Sequence, residues 1–321
     1  MLISLILGHM RTALLLFPVL ICFCCAPLCG QSPAIPTDSA CEAASQYLSA
    51  YRYAQALNAL GACYQHDPDN LVYLQQKALC YRQLGQLPEA RDIYQQMLQR
   101  DSTQVQALNR LALVFRREKN LREAANCYQQ LIALDSLNSY YQRELASLLQ
   151  EQGDIVGALA FYQKAYRLNP RDLESIMALG RIYQELKLYP LADSILQEGR
   201  ALDGNNLALL HLQFRNTYQV KNYQRTLDLG EKILSLSGDS TTALRKLMGI
   251  AHFHQGHFEA AVACLTPAVE QSNKPEYLHY YLGLAHRELG HLNRSVEHLE
   301  KALEEGITAN LAVYYTNLAI S

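Results

Sequence analysis

Seven of the ten histidines crowd into one late stretch, His252, His254, His257, His279, His286, His291 and His298, and imidazoles at that density raise the question of a transition-metal site. A helical metal site needs ligands on one face, as in His-Glu-x-x-His, or closely paired cysteines, and neither pattern occurs. His252 and His286 stand 34 residues apart and are expected to approach one another from neighbouring structural units, as packed or surface side chains rather than as ligands. Four of the nine cysteines, Cys22, Cys24, Cys25 and Cys29, fall in an apolar opening stretch. That leaves Cys41, Cys63, Cys80, Cys127 and Cys264, an odd number that does not read as a disulfide framework. Cys63 comes within reach of Cys41 or Cys80 if successive helices lie side by side, but the favoured reading is five small buried apolar side chains. There is no Gly-x-Ser-x-Gly elbow, no Gly-x-x-x-x-Gly-Lys loop and no Gly-x-Gly-x-x-Gly turn. The acidic residues fall mostly at helix starts and outer faces, where capping and solvation account for them. The expectation is a non-catalytic chain without metal or cofactor.

The composition says what must position such side chains. Half of the 321 residues are hydrophobic, enough for an ordered core, and 21 Tyr with only 16 Gly and 10 Pro suit long helices joined by short turns. The 28 basic and 30 acidic side chains nearly cancel, to a net charge of -2, which excludes a global field for nucleic acid or an anionic membrane. Arg11 followed by the apolar run Ala13 to Leu28 reads as a signal peptide over residues 1–30, with an uncleaved or lipidated anchor as the alternative. Either way, the rest of the chain is expected to be secreted or periplasmic, or to face away from the cytoplasm. Residues 31–36 form a short linker.

Beyond it one period organises the sequence: Ala56, Ala90, Ala124, Ala158 and Ala192 recur every 34 residues. Twelve positions before each alanine stands another small residue, Ala44, Ala78, Ala112, Ala146 and Gly180. Three further on comes Tyr47, Tyr81, Phe115, Leu149 or Tyr183, and four after the alanine comes Leu60, Tyr94, Tyr128, Tyr162 or Leu196. Two small residues let two helix axes approach, and the large side chains fill the groove that remains. Turn residues Gly85, Lys119-Asn120 and Gly153 separate the two helices, and stops such as His66-Asp67-Pro68 and Leu168-Asn169-Pro170 close the units.

This pattern resembles the tetratricopeptide repeat family. The resemblance implies an all-α fold, a right-handed α-solenoid of stacked helix-turn-helix units. In that register about eight units occupy residues 37–309, starting at Thr37, Leu71, Val105, Ser139, Leu173, Leu207, Thr242 and Glu276, with Thr241 as an extra residue. The sixth, 207–240, is degenerate: Phe214, Thr217, Thr226 and Gly230 replace the small residue, the aromatic, the alanine and the Leu or Tyr, so irregular stacking or a soft joint is expected there. Residues 310–321 repeat a first helix, as a cap or as the start of a ninth unit.

The resemblance also implies that the first helices line a concave groove that binds a peptide or helix of a partner protein. Carried over unit by unit, its lining is Arg82 and Gln83, Arg116 and Arg117, Arg143 and Glu151, Arg181 and Gln184, Arg215 and Gln219, Lys246 and Phe253, and Tyr280 and Arg287. Arginine forks match carboxylates, so an acidic partner is expected. The carboxylate clamp of chaperone-binding members is not reproduced: Cys41, Ser45, Gln76 and Gln106 hold its positions and only Arg110 fits. Two other readings stay open. One is an accessory region of a larger enzyme or regulator that continues past Ser321, the other a self-assembling envelope component that forms homo-oligomers.

Overall fold

The computed structural model describes residues 37–68, 70–238, 241–272 and 275–304. The expected signal segment, the linker and the expected C-terminal helix lie outside them. The described residues form sixteen α-helices that pack in sequence as eight hairpins. They are α1 (Thr37–Ser49), α2 (Tyr53–His66), α3 (Leu71–Gln83), α4 (Leu87–Arg100), α5 (Val105–Arg117), α6 (Leu121–Leu134), α7 (Ser139–Glu151) and α8 (Ile155–Leu168). They continue with α9 (Leu173–Glu185), α10 (Tyr189–Leu202), α11 (Leu207–Gln219), α12 (Tyr223–Ser237), α13 (Thr242–His254), α14 (Phe258–Glu270), α15 (Glu276–Glu288) and α16 (Leu292–Glu304). Each helix packs on the next, so the array is a solenoid. None of the helices is long and apolar enough to cross a membrane.

Every hairpin turns in the same way. The first helix ends with a residue of positive φ, at Tyr51, Gly85, Lys119, Gly153, Lys187, Lys221, Gly256 and Gly290. In the second hairpin the N–H of Gln86 donates to the Tyr81 carbonyl at 2.9 Å and that of Gly85 to the Arg82 carbonyl at 3.3 Å, the paired bonds that satisfy a helix C-terminus. The same long bond closes the turns at Asn120, Asp154, Leu188, Asn222, His257 and His291. Only four of the eight positions hold glycine; at the rest a side chain adopts the left-handed conformation at a cost of about 1 kcal/mol. Between hairpins the bends are Asx turns, with Asp101, Asp135, Asn169 and Asp203 accepting from the backbone N–H two residues on.

The core follows the small-large pairing. Ala78, Ala112 and Ala146 on first helices, and Ala90, Ala124 and Ala158 on second ones, are fully buried, as are Leu60, Leu196, Leu265 and Leu299. Sixteen positions separate each first-helix small residue from its large counterpart. Ala78, Ala112 and Ala146 are matched by Tyr94, Tyr128 and Tyr162, while Gly180, Gly249 and Gly283 are matched by Leu196, Leu265 and Leu299. The glycines are required by space: a Cβ on Gly180 would come within 2.5 Å of Leu196 Cδ2, one on Gly249 within 2.6 Å of Leu265 Cγ.

In the sixth hairpin the sizes are exchanged. Phe214, 2% exposed, puts the bulk on the first helix, and Gly230 removes it from the second, where a Cβ would meet Met248 Sδ at 2.7 Å. Thr217 and Thr226 replace the aromatic and the alanine and hydrogen-bond to each other at 3.1 Å, both buried. Here α11 is fastened to the preceding hairpin: Gln213 Nε2 donates to the Leu196 carbonyl at 2.9 Å and Asn216 Nδ2 to the Tyr189 carbonyl at 3.2 Å.

The cysteines also depart from expectation. Cys41 of α1 and Cys63 of α2 form a disulfide, with Cα atoms 5.6 Å apart, because the first hairpin aligns them side by side. Cys80 and Cys127 are free and buried, and Cys264 is free and half-buried, as small apolar residues. Burial pushes the Cys127 thiol up to about 12.

Candidate functional site: the face of the first helices

Four adjoining depressions run along α3, α5, α7, α9 and α11. The first, of about 160 Å³, lies between α3 and α5 over Tyr94 and is edged by Arg82, Gln106 and Arg110. The second, about 490 Å³, holds Arg82, Arg116, Arg117 and Lys119. A third, about 360 Å³, is lined by Arg116, Arg143, Glu144, Ser147, Tyr162 and Arg181 among others, and a fourth, about 410 Å³, by Gln150, Arg181, Gln184, Tyr189, Arg215 and Gln219. Arg82, Arg116 and Arg181 are each shared by two neighbouring depressions, so the four form one continuous strip. The 34-residue period produces it, because each first helix presents the same face.

The arginines on this strip divide into two kinds. Arg116 donates from Nη1 to Glu144 Oε2 at 3.1 Å, from Nη2 to Ser147 Oγ at 2.8 Å, and to Glu151. Burial opposes its charge, but Glu151 and Glu144 outweigh that and hold the guanidinium above its ordinary value. Arg143 likewise donates from Nη1 to both oxygens of Asp172, at 2.9 and 3.0 Å, and pairs with Glu174 at 2.9 Å. These two brace neighbouring hairpins while they line the third depression, and Glu151, expected as lining, is a partner in one of the braces. By contrast, Arg82, Arg110, Arg117, Arg181 and Arg215 make no ion pair among the described residues.

Of the other expected positions, Gln184 lines the fourth depression while its Nε2 donates to the Leu212 carbonyl at 2.8 Å, and Gln219 lies beside it. Gln83, Lys246, Phe253, Tyr280 and Arg287 lie outside these four depressions. Arg287 pairs with Glu288 at 2.7 Å, and Tyr280 and Phe253 pack against the apolar cluster of Ile250, Leu265 and Leu278. Sequence reasoning named Arg110 only at a clamp position and not in the groove lining, and it missed Tyr94. Arg110 stands seven residues before Arg117 on α5, two helical turns along the same face, a spacing that signals their shared exposure.

The histidines fold into pairs. His252 faces His257 across its own turn, ring centroids 5.8 Å apart, and His286 faces His291 in the same way, Nδ1 to Nδ1 at 3.4 Å, instead of His252 and His286 meeting across hairpins. His279 and His298 bring their Nδ1 atoms to 2.9 Å, and His298 also stacks on His286 at 5.5 Å. No group of three or more His, Cys, Asp or Glu among the described residues is arranged to hold a metal ion. His254 stacks on Tyr223 at 4.5 Å and contacts the Tyr281 hydroxyl at 3.3 Å.

The sequence matches two tetratricopeptide repeat family models, one over residues 47–108 and the other over residues 109–172 and 246–310. Together they span more than half of the chain and leave the stretch that holds the size-exchanged hairpin unmatched. No curated protein matches the sequence. Among solved structures, a tetratricopeptide repeat protein from Parabacteroides merdae ATCC 43184 superposes with a TM-score of 0.53 at 19% identity, covering 77% of this chain and 96% of its own. YrrB, a tetratricopeptide repeat protein with an unusual peptide-binding site, superposes at 0.54 with 19% identity, covering 60% of this chain and 100% of its own. With its repeated small-large pairing, stacked hairpins and these matches, the chain belongs to the tetratricopeptide repeat family.

Proposed function

We propose that the protein is a non-catalytic interaction scaffold that holds an acidic segment of a partner protein along the first-helix face. The observation that carries this reading is the continuous strip of depressions from α3 to α11, along which Arg82, Arg117, Arg181 and Arg215 make no ion pair with a carboxylate among the described residues. Uncompensated guanidiniums in a groove steer and grip carboxylates. The peptide-binding site named for YrrB supports a peptide as the occupant. The test is affinity capture from the native cell with the full-length chain and with a variant in which Arg82, Arg117, Arg181 and Arg215 become Glu, leaving the braces Arg116 and Arg143 intact. Loss of a captured protein by a variant of unchanged helicity supports the reading, and identical capture by both forms overturns it.

We propose also that the chain works in an oxidising compartment outside the cytoplasm. The Cys41–Cys63 bridge supports this, since such bonds persist where thiols are not kept reduced, and it agrees with the signal-like first thirty residues. Protein drawn from its native cells without reductant should take up a thiol label at Cys41 and Cys63 only after reduction. Labelling of both before reduction would refute the proposal.

A further inference from the structure

The two long edges of the array carry exposed side chains that the packing of the hairpins does not use. One edge is made by the turns within hairpins. At the fifth and sixth of these Leu186, Leu188, Leu191 and Val220 are exposed, Leu191 by 51%. Lys187 and Lys221 stand among them, exposed, each with φ at 58° and without an ion pair among the described residues. Glycine would relieve that conformation, as Gly85 and Gly153 do in the same register, so folding does not account for a lysine there. Of the carboxylates at these two turns, Asp193 is held by Arg225 at 3.0 Å, which leaves Glu185.

The other edge is made by the bends between hairpins, at the opposite ends of the helices and about 20 Å away for helices of this length. There Leu134, Leu168, Leu202 and Leu236 recur every 34 residues, all exposed, and Leu137 is 76% exposed. Asp135 and Asp203 follow two of these leucines, exposed and without an ion pair among the described residues. Their Asx turns need an accepting oxygen but no charge, because Asn169 closes the fourth bend in the same way, accepting from the Arg171 N–H at 3.2 Å. Arg167 and Arg171 interrupt the acidic run at that bend, and Lys232, beside the fifth, is turned onto the Gly204 carbonyl at 2.7 Å.

The two rows are made alike, apolar side chains with charges between them, and the charges are of opposite sign. Both rows also share the spacing from one hairpin to the next. Two copies laid side by side therefore bring lysine opposite aspartate and leucine against leucine, in register or shifted by whole hairpins. We infer that the turn edge of the fifth and sixth hairpins binds the bend edge of a second copy of this chain. Covering the exposed apolar side chains stabilises the contact, and the charge pairs set its register. The two surfaces differ, so the association continues from copy to copy in a row, and a net charge of only -2 leaves little long-range repulsion against it. The first-helix face lies between the two edges and stays uncovered, so the row arrays the grooves without competing for the partner segment.

The test reads a dimer of the chain itself, so it succeeds or fails independently of partner capture. A photo-crosslinking amino acid is placed at Leu188 or at Leu137 of the full-length chain in its native cells. Both should give the crosslinked dimer, with the Leu188 adduct mapping to residues 134–137 or 202–205 and the Leu137 adduct to 186–191 or 220–225. Gln197, exposed midway along α10, should give none. Lys187→Glu with Lys221→Glu should lower the dimer yield about tenfold or more. Lys187→Gly with Lys221→Gly should lower it severalfold while the urea midpoint rises, so unfolding does not explain the loss. No dimer from either position, dimers that map turn to turn, adducts from Leu188 to another protein or to lipid alone, or a yield indifferent to the lysine reversals would each overturn the inference.

Discussion

The same change, glycine to alanine, should move stability in opposite directions at two helical positions of this chain. At Gly61, within α2, an added Cβ meets nothing within 4 Å, so the substitution should add only helix propensity, about 1 kcal/mol. At Gly180, within α9, the new Cβ would lie 2.5 Å from Leu196 Cδ2, 2.8 Å from Cγ and 3.3 Å from Cδ1. Carbon atoms prefer separations of about 3.5–4.0 Å. Leu196 cannot swing aside, because it is fully buried and its carbonyl accepts from Gln213 of the next hairpin. Overpacking of this kind costs about 1–3 kcal/mol, and its upper half outweighs the propensity gain, leaving a net loss of about 1–2 kcal/mol. With a slope of about 2–3 kcal/mol per molar urea, the midpoint followed by far-ultraviolet circular dichroism should fall by about half a molar for Gly180→Ala and rise modestly for Gly61→Ala. In a Leu196→Ala background the clash is gone, so Gly180→Ala should become stabilising. A Gly180→Ala midpoint at or above the native one, or the same loss in the Leu196→Ala background, would refute the space argument.

Other consequences are as direct. Lys187 holds φ at 58° in a turn where four equivalent residues are glycine, so Lys187→Gly should raise the urea midpoint by the equivalent of about 1 kcal/mol, whereas Gly153→Lys should lower it. Burial first, and then the neighbouring His279 and His286, push His298 down to about 4, and burial also lowers His286; His291, Arg294, Glu297 and Lys301 are the other charged or titratable groups acting on the pair. The unfolded chain therefore binds these protons first, so this contribution to stability is complete above about pH 6.5 and is lost as pH falls toward 4. Urea midpoints measured from pH 7.5 to 4.5 should fall across that window, and less steeply for His298→Leu; parallel profiles would contradict it. Arg116→Glu, which sets a carboxylate against Glu144 and Glu151, should destabilise by about 1–3 kcal/mol in thermal unfolding, while Arg215→Glu should be within about 0.5 kcal/mol of neutral.

The helical array was legible because its signal is spread over many positions: a buried small residue every 34 positions constrains axis distance in hairpin after hairpin. The size exchange in the sixth hairpin was not legible because Phe214 and Gly230 look like two separate defects when each is compared with the repeat pattern. Only their joint packing shows the bulk moving from one helix to the other. The carboxylate partners of Arg116 and Arg143 were not legible because they lie 28 and 29 positions away on the next hairpin, a distance that sequence spacing does not reveal. The Cys41–Cys63 bridge was underrated for a similar reason, since an odd cysteine count hides one pair among five. The left-handed lysines, on the other hand, were within reach: Lys119, Lys187 and Lys221 share a register with Gly85 and Gly153, and that period marks a conformation that lysine itself does not.

The central claim, that the first-helix face is where a partner segment lies, is tested most directly by placing a photo-crosslinking amino acid at single positions of the full-length chain in its native cells. Gln184 and Gln219 lie on the strip, and Gln197 is exposed on the second helix of the same hairpin as Gln184. The expected result is one protein crosslinked from Gln184 and Gln219 and not from Gln197, through a segment rich in acidic residues. Crosslinks from Gln197 with none from the strip would contradict the claim.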